Sequence, residues 1–176
     1  MQEFNLESFS SKMLSALGEI TDDQIADILR EKKLTVSVAE SLTGGLISER
    51  LTNIAGSSAY FMGGLITYHP RIKVAELKVP GGLIAKHGVV SEEVARAMAE
   101  GIRGRFKTEI GISSTGCAGP DPQPPAPVGL AYVAVSSSKG TEARELHLQG
   151  TRKEIREKAA QAAIGLLWEH LGGEES

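Results

Sequence analysis

Short β-branched segments alternate with helix-forming segments along most of the chain, and this alternation constrains the fold more than any other feature. Strands are predicted at 34–39, 59–68 and 109–115, and helices at about 46–54, from Pro70, and from 91 to about 106. A strand pair at 129–136 and 141–148, joined by a tight turn, precedes a last helix from Thr151 to about 170. Strands that are separated by helices pair in parallel, so the sequence predicts an α/β fold with a mostly parallel central sheet.

Length and charge narrow the class of protein. The 176 residues fit one domain, which we place at 21–172, after a helical extension at 1–20. The extension carries an apolar stripe from Leu6 to Leu17, which makes a homo-oligomer, with a dimer favoured, the expected assembly. The net charge of −3 does not favour a nucleic-acid partner.

The sequence shows neither a membrane-spanning segment nor a metal motif. No apolar run reaches the roughly 18 residues that a span requires, and the N-terminus lacks a secretory pattern, so no membrane partner and a cytoplasmic location are expected. The single cysteine, Cys117, excludes an internal disulfide and a cysteine-based zinc site. No histidine pairs with an acidic residue at metal-ligand spacing, so we expect no metal and no cofactor.

Polar residues stand at the carboxyl ends of the predicted strands. These ends are Glu40-Ser41, Thr67-Tyr68 and Ser114-Thr115. If the proline-rich loop at 116–129 turns the chain back, the following strand pair delivers Thr151-Arg152 to the same edge of the sheet. Ligands bind at the carboxyl ends of the strands in open α/β sheets, so the sequence predicts one site where these residues converge.

Ser41 is the first candidate for chemistry, because it lies between a strand and a glycine-rich helix start. A nucleophile on a sharp strand-to-helix turn has this setting. The amides of residues 43–45 would point to the helix entrance, where bare N–H groups hold an oxyanion or a phosphate. Gly44 and Gly45 would let a ligand approach the backbone closely. The alternative interpretation is that Ser41 or Thr43 only caps the helix.

Lys73 and Arg152 are the candidate charged groups. Lys73 lies near the positive end of the helix that begins at Pro70, where the helix dipole lowers the proton affinity of an amine. A serine hydrolase that uses lysine as its base needs such a neutral amine. Arg152, at a helix N-terminus, suits an anionic ligand such as phosphate. In the alternative interpretation both are ordinary surface side chains.

Three further residues lie near the expected site. Thr115, which precedes Gly116, could donate a hydrogen bond from the strand end, or could serve only the turn. His69 follows Tyr68 and is the one histidine close to the expected edge. Cys117 has small neighbours and is expected to be a buried structural thiol rather than a nucleophile.

Four segments carry a resemblance to a known family. They are AESLTGGLISERLTNIAGSSAYFMGGLITY from residue 39, HGVVSEEVARAMAEG from residue 87, STGCAGP from residue 114 and PVG from residue 127. Over about residues 21–170 the chain resembles the CinA C-terminal domain family. The resemblance implies a three-layer α/β/α sandwich. It also implies hydrolysis of the carboxamide of nicotinamide mononucleotide, which gives nicotinate mononucleotide and ammonia.

The resemblance implies roles for individual residues as well. The family's serine nucleophile falls on Ser41, its lysine on Lys73, and its tyrosine on Tyr68, which would orient the serine or the substrate ring. Thr115 and Arg152 would bind the ribose or the phosphate. The other expected substrate contacts are Thr43, Gly44, Gly45 and Gly116.

Two positions depart from the family's pattern. The residue after Ser41, commonly cysteine in the family, is Leu42 here. The loop after Gly119-Pro120 reads DPQPPAPVG, whereas the family carries a paired glycine and a lysine before the PVG. The altered loop keeps a second hypothesis open, a catalytically silent nucleotide-binding or regulatory module of the competence-damage-inducible type.

Overall fold

The computed structural model of the chain describes residues 22–172, so the expected helical extension at 1–20 lies outside the described residues. Six α-helices and five strands alternate within the described part. In chain order they are α1 (Asp22–Glu31), β1 (Val36–Glu40), α2 (Leu46–Thr52), β2 (Phe61–Ile66), α3 (Pro70–Leu77), α4 (Gly81–His87), α5 (Glu92–Phe106), β3 (Ile110–Gly116), β4 (Leu130–Ser137), β5 (Gly140–His147) and α6 (Arg152–His170).

The five strands form one mixed sheet in the order β2-β1-β3-β4-β5. β1 pairs in parallel with β2 and with β3, and β4 pairs antiparallel with both β3 and β5. Four strands therefore run in the same direction and end at the same edge, as the sequence predicts. The chain leaves β1 towards β2 and leaves β3 towards β4, so a crevice opens between the carboxyl ends of β1 and β3.

Helices cover both faces of the sheet, which confirms the three-layer α/β/α sandwich. α5 crosses β1, β3 and β4 on one face, with α3 and α4 packed against it. α6 packs on β3 and β4 from the other face, with α2 beside α6 and α1 beside α2. The alternation along β1 matches these layers. Val36 and Val38 join the apolar cluster under α6, and Ala39 joins the cluster under α5.

The segment at 80–82, predicted from its proline and two glycines to be a loop, begins α4 instead. Pro80 occupies the N-cap position, where its missing N–H is not needed. Leu83 and Ile84 pack against the apolar cluster that includes Leu77 and Met98. The packing of these two partly buried side chains outweighs the low helix propensity of the glycines, and no local sequence signal reveals it.

Gly101, inside α5, sets how closely α3 approaches α5. A Cβ at this position would overlap the backbone oxygen of Leu77 and would come within 2.9 Å of the Cβ of Leu77. Gly104, one turn further along α5, has no atom within 4 Å of a Cβ built in the same way. Gly101 is therefore a packing requirement for α3, whereas Gly104 is not.

We expect Gly101→Ala to lower the free energy of unfolding by about 2–3 kcal/mol, because the two helices must move apart or strain. Gly104→Ala, the matched control, should raise it by about 0.5–1 kcal/mol through helix propensity alone. Urea denaturation followed by circular dichroism measures both changes. Equal effects of the two substitutions would contradict the close approach of α3 to α5.

Candidate active site

Ser41 stands at the carboxyl end of β1, on the turn that leads into α2. Its side chain lies at the crevice, and the residue is only 7% exposed. Gly44 and Gly45 complete the turn with φ angles of 58° and 110°, a left-handed conformation that favours glycine. The turn directs the Ser41 hydroxyl towards α3, where the Lys73 Nζ donates a hydrogen bond to the Ser41 Oγ at 2.9 Å.

Lys73 is fully buried, with 0% of its surface exposed. Its Nζ also donates to the backbone oxygen of Thr67, just beyond β2. Burial lowers the pKa of Lys73 from 10.5 to about 8, because the ammonium loses its hydration in the protein interior. None of the ion pairs formed within residues 22–172 includes Lys73. The alternative interpretation, that Lys73 is an ordinary surface lysine, is therefore wrong.

The amides at the start of α2 are expected to hold an oxyanion, but most of them already donate hydrogen bonds to a carboxylate of the protein itself. The buried carboxylate of Glu40 accepts hydrogen bonds from the amides of Gly45 at 2.9 Å, Ile47 at 3.2 Å and Ser48 at 2.9 Å, and from the Ser48 hydroxyl at 2.6 Å. The amide of Gly44 donates to the backbone oxygen of Ser41. The expectation that Gly44 and Gly45 donate to a ligand is therefore corrected.

A guanidinium fixes the same turn from the opposite side. The Arg156 side chain, from α6, donates to the backbone oxygens of Leu42 and Thr43, both at 2.9 Å. A Cβ at Gly44 would lie 2.9 Å from this guanidinium, so the glycine makes room for Arg156. Within the described chain, the amide nitrogens of Leu42 and Thr43 have no hydrogen-bond acceptor.

Thr43 lies in the interior and not on the surface of the site. Its hydroxyl is fully buried and hydrogen-bonded to the Ser114 Oγ at 2.7 Å. The same Ser114 Oγ lies 3.4 Å from the Ser41 amide nitrogen, which donates to it. Ser114 therefore joins the end of β3 to the Ser41 turn.

A cavity of about 180 Å³ opens in front of Ser41. Of the expected site residues, its lining includes Ser41, Tyr68, Thr115, Gly116 and Arg152, and it does not include Lys73, Thr43, Gly44 or Gly45. Lys73 lies behind Ser41 and reaches the site through the Ser41 hydroxyl. The structure thus brings residues from the ends of β1, β2, β3 and β5 to one edge, as expected.

Arg152 spans the mouth of this cavity. Its guanidinium donates to the backbone oxygen of Gly119 at 2.6 Å and to the Tyr68 hydroxyl at 2.8 Å. The Tyr68 hydroxyl therefore contacts Arg152, while the Ser41 hydroxyl contacts Lys73. Thr115 is buried, and its hydroxyl donates to the backbone oxygen of Val89 at 2.9 Å.

His69 and Cys117 have structural contacts. The His69 Nδ1 accepts a hydrogen bond from the Arg71 amide and so caps α3. Cys117 is buried, as expected of a structural thiol, and its Sγ lies 3.5 Å from the backbone oxygen of Asp121. Residues 22–172 contain no group of three or more His, Cys, Asp or Glu side chains that could hold a metal ion.

Sequence reasoning placed Glu40 and Ser114 at this edge of the sheet without assigning them a role, and it did not identify Arg156. The sequence does contain a signal for the roles of Glu40 and Arg156. Glu40 directly precedes the candidate nucleophile and a helix start, where a carboxylate is stabilised. Arg156 follows Arg152 by four residues, which places both on one face of a helix.

The described helices were also compared with the requirements for a membrane span. No helix among residues 22–172 combines the length and the apolar character that crossing a bilayer requires.

Comparison with known proteins gives a consistent result. The model of a protein family described as the CinA C-terminal domain matches residues 19–171. A CinA-like protein from Gemmatimonas aurantiaca is 52% identical over 154 residues, which cover 85% of this chain and 36% of that protein. The chain spans about a third of the length of this curated relative.

Two solved structures share the fold over nearly their whole length. The competence/damage inducible protein CihA from Agrobacterium tumefaciens has a TM-score of 0.81 and 32% identity, with 91% of this chain and 95% of that chain covered. A CinA superfamily protein from Klebsiella pneumoniae has a TM-score of 0.83 and 25% identity, with 92% and 99% covered.

The burial of Lys73 leads to a stability prediction. We expect Lys73→Met to raise the free energy of unfolding at pH 7 by about 3 kcal/mol, the equivalent of a pKa shift from 10.5 to about 8, because a buried ammonium is replaced by an apolar side chain. The pKa of Lys73 in the folded protein, about 8, lies below the 10.5 of a free lysine. Wild-type stability should therefore rise between pH 8 and pH 10.5, where only the unfolded chain binds the proton, and the gap between the two proteins should close.

Urea denaturation at several pH values measures this gap. Lys86→Met, which removes an exposed lysine from α4, is the control and should change the free energy of unfolding by less than about 0.5 kcal/mol. A gap between wild type and Lys73→Met that stays constant from pH 7 to pH 10 would show that the pKa of Lys73 is not lowered.

Proposed function

The chain belongs to the CinA C-terminal domain family, and we propose that it hydrolyses the carboxamide of nicotinamide mononucleotide to nicotinate mononucleotide and ammonia. The hydrogen bond from the buried Lys73 Nζ to the Ser41 Oγ carries the proposal. A serine becomes a nucleophile when an adjacent base can take its proton. A lysine with a pKa of about 8 is neutral in about a tenth of the molecules at pH 7, whereas a lysine with a pKa of 10.5 is neutral in fewer than about one in a thousand.

The first half of the reaction forms an acyl-enzyme. The neutral Lys73 amine removes the proton from the Ser41 hydroxyl, and the Ser41 oxygen attacks the carboxamide carbon. Negative charge develops on the former carbonyl oxygen. The amide of Leu42, which lines the cavity, is the available donor beside Ser41, because Thr43 is buried and the amides of Gly44 and Gly45 are engaged elsewhere. Donors fixed in advance stabilise this charge without reorganisation.

The second half releases both products. The Lys73 ammonium gives its proton to the amide nitrogen, the carbon–nitrogen bond breaks, and ammonia leaves. A water molecule then attacks the acyl group, with Lys73 again accepting the proton. The Ser41 oxygen leaves and regains its proton, which frees nicotinate mononucleotide and restores the neutral amine.

Arg152 is the proposed contact for the phosphate. A guanidinium has five N–H donors, and Arg152 directs single hydrogen bonds to Gly119 and to Tyr68, both through neutral oxygens. The remaining donors suit a phosphate, which accepts paired hydrogen bonds. The Tyr68 ring, half exposed at the cavity mouth, would lie against the substrate ring.

A nucleotide-binding module without turnover is the second candidate. The altered loop favours it, because the family's paired glycine and lysine are replaced by DPQPPAPVG. Binding of nicotinamide mononucleotide without ammonia release by the purified wild-type protein would select this candidate.

We expect Ser41→Ala to lower ammonia release from nicotinamide mononucleotide by about 10³-fold or more, because no nucleophile remains. The dissociation constant of the substrate should change by less than about threefold, since only one oxygen is lost. A coupled ammonia assay and calorimetry measure these quantities. Ser138→Ala, in the exposed turn between β4 and β5, is the control and should behave as wild type. Full activity of Ser41→Ala would overturn the nucleophile assignment.

The pKa of Lys73 predicts the pH dependence of the reaction. Since the neutral amine is the base, kcat/KM should rise with pH and level off above about 8. Lys73→Arg should be inactive at every pH, because a guanidinium does not lose its proton in this range. Ammonia release between pH 6 and pH 10 tests both points. A profile that is flat, or that falls through pH 8, would contradict a lysine base.

A further inference from the structure

The cavity in front of Ser41 carries two opposite charges. Among the described residues that line it, Arg152 is the one cation and Asp121 is the one carboxylate. Asp121 belongs to the proline-rich loop, directly after Gly119-Pro120.

Neither charge is neutralised by the protein. The ion pairs formed within residues 22–172 include neither Arg152 nor Asp121. Arg152 contacts neutral oxygens, as described above. Within the described chain, the only hydrogen bond that involves Asp121 is made by its backbone oxygen, which leaves the carboxylate to the cavity.

The loop holds Asp121 in place before a ligand arrives. Gln123 and Ala126 exchange two backbone hydrogen bonds, at 3.0 Å and 2.8 Å, across the tip of the loop. Ala126 is buried and anchors the tip, and the Cys117 Sγ contacts the backbone oxygen of Asp121. Five prolines between residues 120 and 127 restrict the backbone further. Such preorganisation lowers the entropy cost of binding.

A cavity with one unpaired cation and one unpaired anion complements a ligand that carries both charges. Nicotinamide mononucleotide is such a ligand, because its phosphate is anionic and its ring nitrogen, bonded to ribose, is a quaternary cation. We propose that Asp121 recognises the positive charge of the pyridinium ring, while Arg152 holds the phosphate. This inference rests on the proposed function and names the substrate class that the site selects, an N-ribosylated pyridinium.

The proposal separates substrates that differ only in ring charge. The reduced form of nicotinamide mononucleotide has the same ribose, phosphate and carboxamide, but its dihydropyridine ring is neutral. An aspartate that reads ring charge distinguishes these two molecules. An aspartate that accepts hydrogen bonds from the ribose hydroxyl groups does not, because the ribose is the same in both.

Calorimetry on a Ser41→Ala background tests the proposal without turnover. Asp121→Asn should raise the dissociation constant of nicotinamide mononucleotide by about three- to tenfold, the range for a partly exposed charge pair. It should change that of the reduced form by less than about twofold. Asp23→Asn, which removes an exposed carboxylate from α1, is the matched control and should affect neither. The loss caused by Asp121→Asn should shrink at high salt.

Three results would overturn the proposal. If Asp121→Asn weakens the binding of both ligands equally, Asp121 contacts the ribose. If it weakens the binding of neither ligand, Asp121 has no role in recognition. If the oxidised nucleotide does not bind at all, Arg152 and Asp121 do not form its binding site. The proposed function fails separately. If the wild-type protein releases no ammonia but Asp121→Asn still weakens the binding of the oxidised form alone, hydrolysis is excluded and charge recognition stands.

Discussion

The burial of one amine beside one hydroxyl is the interaction on which the rest of the site depends. Lys73 has no exposed surface and lies 2.9 Å from the Ser41 oxygen. Loss of hydration, and not a neighbouring charge, lowers the pKa of Lys73. A buried ammonium without a carboxylate destabilises the fold, so the arrangement exchanges stability for a base that works near neutral pH. The contact of α3 with α5 at Gly101 holds the helix that carries this amine.

The nucleophile turn is fixed on both sides by charged groups that do not touch the cavity. The Glu40 carboxylate accepts hydrogen bonds from the amides at the start of α2. The Arg156 guanidinium donates hydrogen bonds to the backbone oxygens of Leu42 and Thr43. A helix N-terminus that could have bound the substrate's phosphate is thus filled by an internal carboxylate. In the proposed reaction, the anionic end of the ligand is left to Arg152, at the mouth of the cavity, and the oxyanion to the Leu42 amide.

The strand–helix alternation and the carboxyl-end rule were sufficient to predict the parallel strands and the edge at which Ser41, Thr115 and Arg152 converge. They were not sufficient for features that arise from tertiary contacts. α4 forms because its apolar side chains pack against a buried cluster, although its glycines disfavour a helix. Glu40 and Arg156 act through backbone groups of a turn whose geometry the sequence does not display. The direction of Tyr68, towards Arg152, depends on where α6 begins.

The titration of Lys73 tests the central claim most directly, because it requires neither a substrate nor an assumed mechanism. In protein labelled with ¹³C at the lysine ε-carbon, the Lys73 signal is assigned by its loss in Lys73→Met. We expect its chemical shift to titrate with a pKa of about 8, well below the 10.5 of a free lysine. A Lys73 signal that titrates near 10.5 would show that almost none of the amine is neutral at pH 7, and the account of Ser41 activation would be wrong.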